Sequence, residues 1–244
     1  MKIPAVFLLL LLFISCEKST TAADEVDLGL SYFPMEEGRF WEYAVDSIFI
    51  RGNGMQRDTV RSYHRFEIKE VLQEADRSLV SEVLWSTKSS LMGVYTVRGV
   101  QSWQRINNRH VIRTEGNLKF IDLIFPVEVN RTWRATSLFD PDVWVNIAGE
   151  TFQPYLEWRS LILAKKVSQS VGDQQFEDIV QVQLADEDLG LQYRYAMQYF
   201  ARGVGMIQRE MKVFDSQNLN FTLPWDVRVQ RGYAVKMQLI DFNK

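Results

Sequence analysis

The fold is read from the last strand-like stretch, Val227-Arg228-Val229-Gln230-Arg231-Gly232-Tyr233-Ala234-Val235-Lys236-Met237-Gln238-Leu239-Ile240-Asp241-Phe242. Val227, Val229, Tyr233, Val235, Met237 and Leu239 share one parity, and Arg228, Gln230, Lys236 and Gln238 take the other. Side chains of a strand point alternately to its two faces, so this period describes a half-buried strand with one apolar face. Further back, Tyr193, Tyr195, Met197 and Tyr199 again share a parity, against Gln192, Arg194 and Gln198. Leu, Gln, Arg, Ala and Met also tolerate helix, but the alternation places a second strand here.

Working outward, windows rich in Val, Ile, Tyr, Phe and Trp run over 40–50, 59–73, 79–86, 94–106, 110–114, 118–125, 132–138, 155–168, 176–185, 191–200, 204–214 and 227–242. Turn residues separate them, among them Gly52-Asn53-Gly54, Ala75-Asp76-Arg77, Asn107-Asn108 and Glu115-Gly116-Asn117. About a dozen strands with few helices predict an all-β body. A flat sheet of that size leaves long exposed edges, so the expectation is a strongly curved antiparallel sheet, a barrel or a half-barrel. Long neighbouring strands with short turns favour an up-and-down meander.

The 244 residues are 46% hydrophobic and 24% charged, which excludes wholesale disorder. A formal net charge of −3 provides no global positive field, so nucleic acid is not an expected partner. One cysteine excludes an internal disulfide framework and any multi-cysteine zinc site, and two histidines leave little for metal binding.

The chain opens on Lys2, followed by an apolar run over residues 3–13 with small Ser15 behind it. Eleven residues are too few to cross a bilayer, which takes about 20 in a helix. The leading cation, apolar stretch and small residue read as a secretory signal peptide over 1–15. Cys16 stands immediately after it, and Phe13-Ile14-Ser15-Cys16 resembles the lipobox of bacterial lipoproteins, which implies lipidation at Cys16. Several acyl chains on one terminus anchor a protein stably, since each buried methylene contributes about 0.8 kcal/mol. In the sorting systems this resembles, an Asp after the cysteine retains the protein at the inner membrane. Glu17 stands there instead, which implies the outer membrane, with the periplasmic or surface face left open. Residues 16–30 are polar and rich in small side chains and read as a flexible tether, leaving 31–244 as a single β domain.

One nine-residue pattern occurs twice. Phe33-Pro34-Met35-Glu36-Glu37-Gly38-Arg39-Phe40-Trp41 reappears as Phe125-Pro126-Val127-Glu128-Val129-Asn130-Arg131-Thr132-Trp133, with five positions identical. Gly and Asn at the sixth position tolerate positive φ, and each Trp then opens a strand as a core anchor. The pattern is either a recurring loop-to-strand element or the mark of a duplicated half.

These pieces carry a resemblance. Tyr32-Phe33-Pro34, Gly38, Trp41, Tyr43 and Val45-Asp46-Ser47-Ile48, together with Phe125-Pro126 through Trp133 and Phe200-Ala201-Arg202-Gly203-Val204-Gly205-Met206-Ile207-Gln208-Arg209-Glu210, look like a group of uncharacterised Gram-negative outer-membrane lipoproteins. That group shares YFPxxxGxxWxYxVDSI early and YAxGVGxIxxE late, and it brings no activity with it. The all-β body also resembles, at the level of fold, the curved half-barrels of lipoprotein carriers, which hold acyl chains.

Catalytic and cofactor patterns are sparse. Gly203-Val204-Gly205 lacks the third glycine and the strand-turn-helix setting of a phosphate loop and reads as a turn or bulge. His64 and His110 have no ligand spacing, and Asp186-Glu187-Asp188 lacks the spaced oxygens of a calcium loop. No GxSxG, no Ser-x-x-Lys in the body and no Cys-His pair is available to a nucleophilic enzyme. Arg105, Arg109, His110 and Arg113 surround one hairpin and read as a solvated basic edge or a contact for anionic lipid headgroups.

The resulting expectation is a non-catalytic, lipid-anchored envelope protein without cofactor or metal, binding an apolar ligand or an envelope partner. An assembly partner of an outer-membrane complex and a carbohydrate-active hydrolase with paired carboxylates are the alternatives. Tyr193, Tyr195, Met197, Tyr199, Tyr233 and Met237 are the candidate ligand-facing residues, on the two strands with the clearest alternation. The competing reading has those side chains fill a closed barrel.

Overall fold

A computed structural model describes residues 26–243 of the chain. The segment 1–15, Cys16 and the tether up to residue 25 lie outside the described residues. After a 3-10 turn at Leu30–Tyr32 come β1 (Phe40–Arg51), β2 (Gln56–Gln73), β3 (Leu79–Lys88), β4 (Thr96–Ile106), β5 (His110–Glu115) and β6 (Leu118–Ile124). A two-residue β7 (Thr132–Trp133) follows, then a small hairpin of β8 (Val145–Ile147) and β9 (Glu150–Phe152). The chain ends with β10 (Ser160–Val171), β11 (Gln174–Asp188), β12 (Gln192–Ala201), β13 (Gly205–Asp215), the short helix α1 (Trp225–Arg228) and β14 (Arg231–Phe242).

Twelve of these strands form one antiparallel sheet in the order β6-β5-β4-β3-β2-β1-β14-β13-β12-β11-β10-β7. Each lies beside its neighbour in the chain, and the first strand zips to the last from Trp41↔Phe242 to Ile50↔Gly232. The result is a nearly closed, barrel-like meander, as the alternation predicts. The seam falls between β6 and β7. Two hydrogen bonds cross it: the Ile121 N–H donates to the Ala135 carbonyl at 2.9 Å, and the Trp133 indole N–H to the Ile121 carbonyl at 2.8 Å.

Both copies of the nine-residue pattern build the same backbone from the sixth position on, while the shared Phe-Pro bond is cis only in the second copy. Gly38 (φ +78°) and Asn130 (φ +67°) occupy the left-handed region at matching positions. Gly38 N–H donates to the Ile68 carbonyl and Ile68 N–H to the Arg39 carbonyl; Asn130 N–H donates to the Ile162 carbonyl and Ile162 N–H to the Arg131 carbonyl. The registers also agree, Trp41 opposite Phe66 and Trp133 opposite Ser160, each partner two residues before the bracketed isoleucine. After Trp41 the chain runs on as the long β1. After Trp133 it leaves the sheet and forms the β8–β9 hairpin, which is why the seam lies there.

The two ends of the resembling motif meet at one rim. The Trp41 indole N–H donates to the Val204 carbonyl at 2.6 Å, the Tyr43 hydroxyl to the Met206 carbonyl at 2.7 Å, Gly203 N–H to the Ser31 carbonyl at 2.8 Å, and Arg39 to the Gly203 carbonyl. A Cβ on Gly205 (φ +103°) would sit 3.1 Å from the Trp41 indole nitrogen, so close approach as well as φ requires glycine there. Residues 33 and 34 thereby cap this end of the barrel.

Several boundaries move. Asp27 to Leu30, expected in the tether, are bonded into the body: Asp27 pairs with Arg202 at 2.8 Å, and the Leu28 carbonyl accepts from Val127 N–H at 3.0 Å. The window 132–138 is strand only at its first two residues, because Ala135 and Thr136 turn inward, buried under the loop. The window 155–168 begins its strand at Ser160, and Val227 with Arg228 belongs to α1. At α1 burial opposes the alternation, with Val227 exposed and Arg228 buried.

Candidate functional site

The interior is filled on one side and hollow on the other. Ile162, Ile179, Val180, Val182, Leu184 and Ala196 of β10–β12 join Phe120 and Trp158 in the buried core. On the opposite side a cavity of about 590 Å³ remains, within the range of small-molecule sites. No residue of β10 or β11 lines it, and β12 contributes only Phe200. The apolar wall follows from register, because residues directly opposite in an antiparallel pair share a face. Val45 opposes Met237, Ser47 opposes Val235, Phe49 opposes Tyr233, and Trp41 opposes Phe66, and all of these line the space. Phe33, Pro34 and Trp103 close it toward the N-terminal cap, where Phe33 meets Trp103 edge-on at 5.4 Å.

The mouth lies where β4 outruns β5. Pairing between them covers only Trp103 to Ile106, so β4 from Thr96 to Ser102 has no partner on that side. The exposed lining residues, Arg98, Val100, Glu115 and Gly116, sit on this part of β4 and on the adjoining β5–β6 turn. Val145 and Ile147 of the β8 strand also border the space.

Charge is concentrated in a quartet of lining residues. The Arg113 guanidinium donates to Asp122 at 2.6 Å and to Glu115 at 2.5 Å, and Arg209 approaches Glu115 at 3.6 Å. Arg113 belongs to β5 and Arg209 to β13, so this chain of ion pairs crosses the barrel interior. Glu115 retains 52% of its side-chain surface because it faces the cavity, although protein surrounds it. Burial alone would push its carboxyl up, but Arg113 and Arg209 outweigh burial and hold it at about 2. Burial pushes the Tyr155 hydroxyl up to about 12 and that of Tyr233 higher, so both remain protonated donors at neutral pH. Burial lowers His64, which faces the same space as a neutral ring.

Of the six expected ligand-facing residues, Tyr233 and Met237 line the cavity. Tyr193, Tyr195, Met197 and Tyr199 do not. Ala196 and Gln198 oppose Met211 and Arg209, both cavity residues, so it is the other parity of β12 that points inward. Tyr193 stacks outside on Trp225 at 5.6 Å and donates to Asp186 at 3.0 Å. Arg194, on that inward parity and with no exposed surface, donates through Nε and Nη1 to the carbonyls of Gln153, Tyr193 and Phe214, and its Nη2 lies 2.9 Å from Asp215. Cys16 lies outside the described residues.

The basic hairpin is also corrected. Arg113 is 7% exposed and belongs to the interior quartet, so it forms no solvated edge. A signal for two of the four was present in the sequence: Arg113 shares its parity with Val111, and Asp122 interrupts the apolar run Phe120-Ile121-Asp122-Leu123. A charge on the apolar face of a strand requires a buried partner. The acidic run near 187 is engaged as well, Asp188 accepting from the Trp225 indole at 2.9 Å and from Arg228 at 3.2 Å. Among the described residues no cluster of metal-ligating side chains occurs, and no helix is long and apolar enough to cross a membrane.

No protein-family model matches the chain, and no curated protein matches it. Among solved structures, one described as a "putative lipoprotein" from Parabacteroides distasonis aligns over 86% of this chain and 98% of that one, at 13% identity and a TM-score of 0.37. A likeness that distant carries no argument about function.

Proposed function

We propose that this chain is a lipid-anchored protein of the outer membrane that holds one apolar ligand inside its β body without transforming it. The observation that carries the reading is the aromatic-walled cavity of about 590 Å³ in an otherwise packed barrel. Both carboxylates on the wall, Asp122 and Glu115, are bonded to Arg113, an arrangement that supports binding over the hydrolase alternative. The anchor reading rests on the apolar run, Ser15 and Cys16. Native mass spectrometry of protein purified from its envelope tests the ligand: a co-purifying small molecule supports the proposal, and its absence, with no saturable uptake of an environment-sensitive acyl probe, removes it. Metabolic labelling with a fatty acid tests the anchor, and label retained in Cys16→Ser removes that part.

A second reading, contact with an envelope protein, has its own observation. The β3–β4 turn presents Leu91, Met92 and Val94 at 60%, 94% and 88% exposure. Substituting the three with Ser would then abolish partner capture while leaving acyl-probe uptake unchanged.

A further inference from the structure

We propose that the cavity selects a ligand with an apolar body and one anionic, acceptor-rich group, a long-chain carboxylate being the simplest member, and that Arg209 meets the anion. The inference deepens the ligand-binding reading and rests on it.

Hydrogen-bond donors outnumber free acceptors on the charged wall. Arg209 lines the cavity with its side chain 14% exposed, and its protein partner, Glu115, stands at 3.6 Å, beyond hydrogen-bond distance. Tyr155 and Tyr233 also line the space, each with a protonated hydroxyl as a further donor. On the acceptor side, Arg113 takes both oxygens of Asp122 and one of Glu115. Donors withdrawn from bulk water and left unmade are costly, so the complementary guest supplies acceptors.

Charge points the same way. Arg98, Arg113 and Arg209 face the cavity against Glu115 and Asp122, leaving one positive charge in excess, and burial keeps His64 neutral. A guanidinium binds a carboxylate through two parallel N–H bonds, a geometry that an ammonium lacks. Trp41, Phe66, Trp103 and Met237 surround the remaining space and accept the apolar body.

The experiment compares hexadecanoic acid, hexadecan-1-ol and hexadecan-1-amine on the secreted chain carrying Cys16→Ser, with occupancy read from the fluorescence of Trp41, Trp85 and Trp103. The acid is expected to bind at least about tenfold more tightly than the alcohol, a charge-assisted bond being worth about 1.5–3 kcal/mol. Arg209→Met brings the acid to the alcohol's affinity and leaves the alcohol unchanged, while Arg209→Lys keeps the charge and retains part of the preference. Equal affinity of acid and alcohol, or tightest binding of the amine, overturns the headgroup inference and leaves the cavity reading standing. No saturable binding of any of the three overturns the cavity reading itself.

Discussion

Trp41 shows how one side chain serves two purposes. It is 2% exposed, its indole N–H is spent on the Val204 carbonyl, and its ring borders the cavity. Trp41→Ala should therefore lower stability by about 3–5 kcal/mol, measured by denaturant unfolding. Trp133→Ala should cost less, since that ring is only half-buried. Glu115 sets a pH dependence whose sign is fixed. Its carboxyl falls from 4.5 to about 2 on folding, so its contribution is present above about pH 4.5 and is lost as pH falls toward about 2. Glu115→Gln, less stable at neutral pH because Arg113 loses a partner, should show a smaller drop in melting temperature across that window. An equal drop would mean that other carboxylates carry the acid response.

Among the elements, the N-terminal segment is the one whose role changes most between sequence and structure. Residues 27–34 lie between the β12–β13 turn and the second copy of the nine-residue pattern. Asp27 pairs with Arg202, the Ser31 and Leu28 carbonyls accept backbone N–H groups, and Tyr32 has no exposed surface and donates to Asp178. A chain beginning at Leu30 loses the Asp27 and Leu28 contacts. It should melt below one beginning at Val26, with β-type circular dichroism in both. Identical melting temperatures would return those residues to the tether. The two motif ends that resemble a lipoprotein group are thus explained locally as a cap: glycine at 205 admits the Trp41 ring, and Arg39 reaches the Gly203 carbonyl. Their chemistry is structural, and the charged quartet lies apart from them, with only Arg209 falling within the late motif.

For the molecule as a whole, the closed zipper of β1 with β14 and the thin seam between β6 and β7 set where the barrel is strong and where it opens first. The terminal strands are bonded along ten residue pairs. The seam is crossed by the Ile121 and Trp133 bonds. Local opening needs the least free energy where few backbone bonds are made. Hydrogen exchange should therefore be slow along β1 and β14 and fast along the seam side of β6, except at the Ile121 amide, while heating gives one cooperative transition. Uniform protection around the ring would show that the seam is no weaker than the ladders.

The sequence by itself determined the all-β class, the approximate limits of most strands and the curved meander, because alternation and turn chemistry are local properties of consecutive residues. It also carried the repeated pattern, whose Gly38 and Asn130 adopt the same left-handed backbone that their residue types allow. Tertiary structure alone decided which face of each strand looks inward. Both faces of β12 are partly buried, so its tyrosines and its Arg194 parity each had a claim to the interior. The Arg194 parity faces inward, where distant carbonyls at Gln153 and Phe214 accept from its Nε and Nη1. Likewise, the sequence marks Arg113 and Asp122 as charges on apolar faces, but it pairs them neither with each other nor with Glu115 and Arg209. They become a site because the ring brings β5 across from β13, and such contacts depend on closure of the whole sheet, which no local pattern encodes.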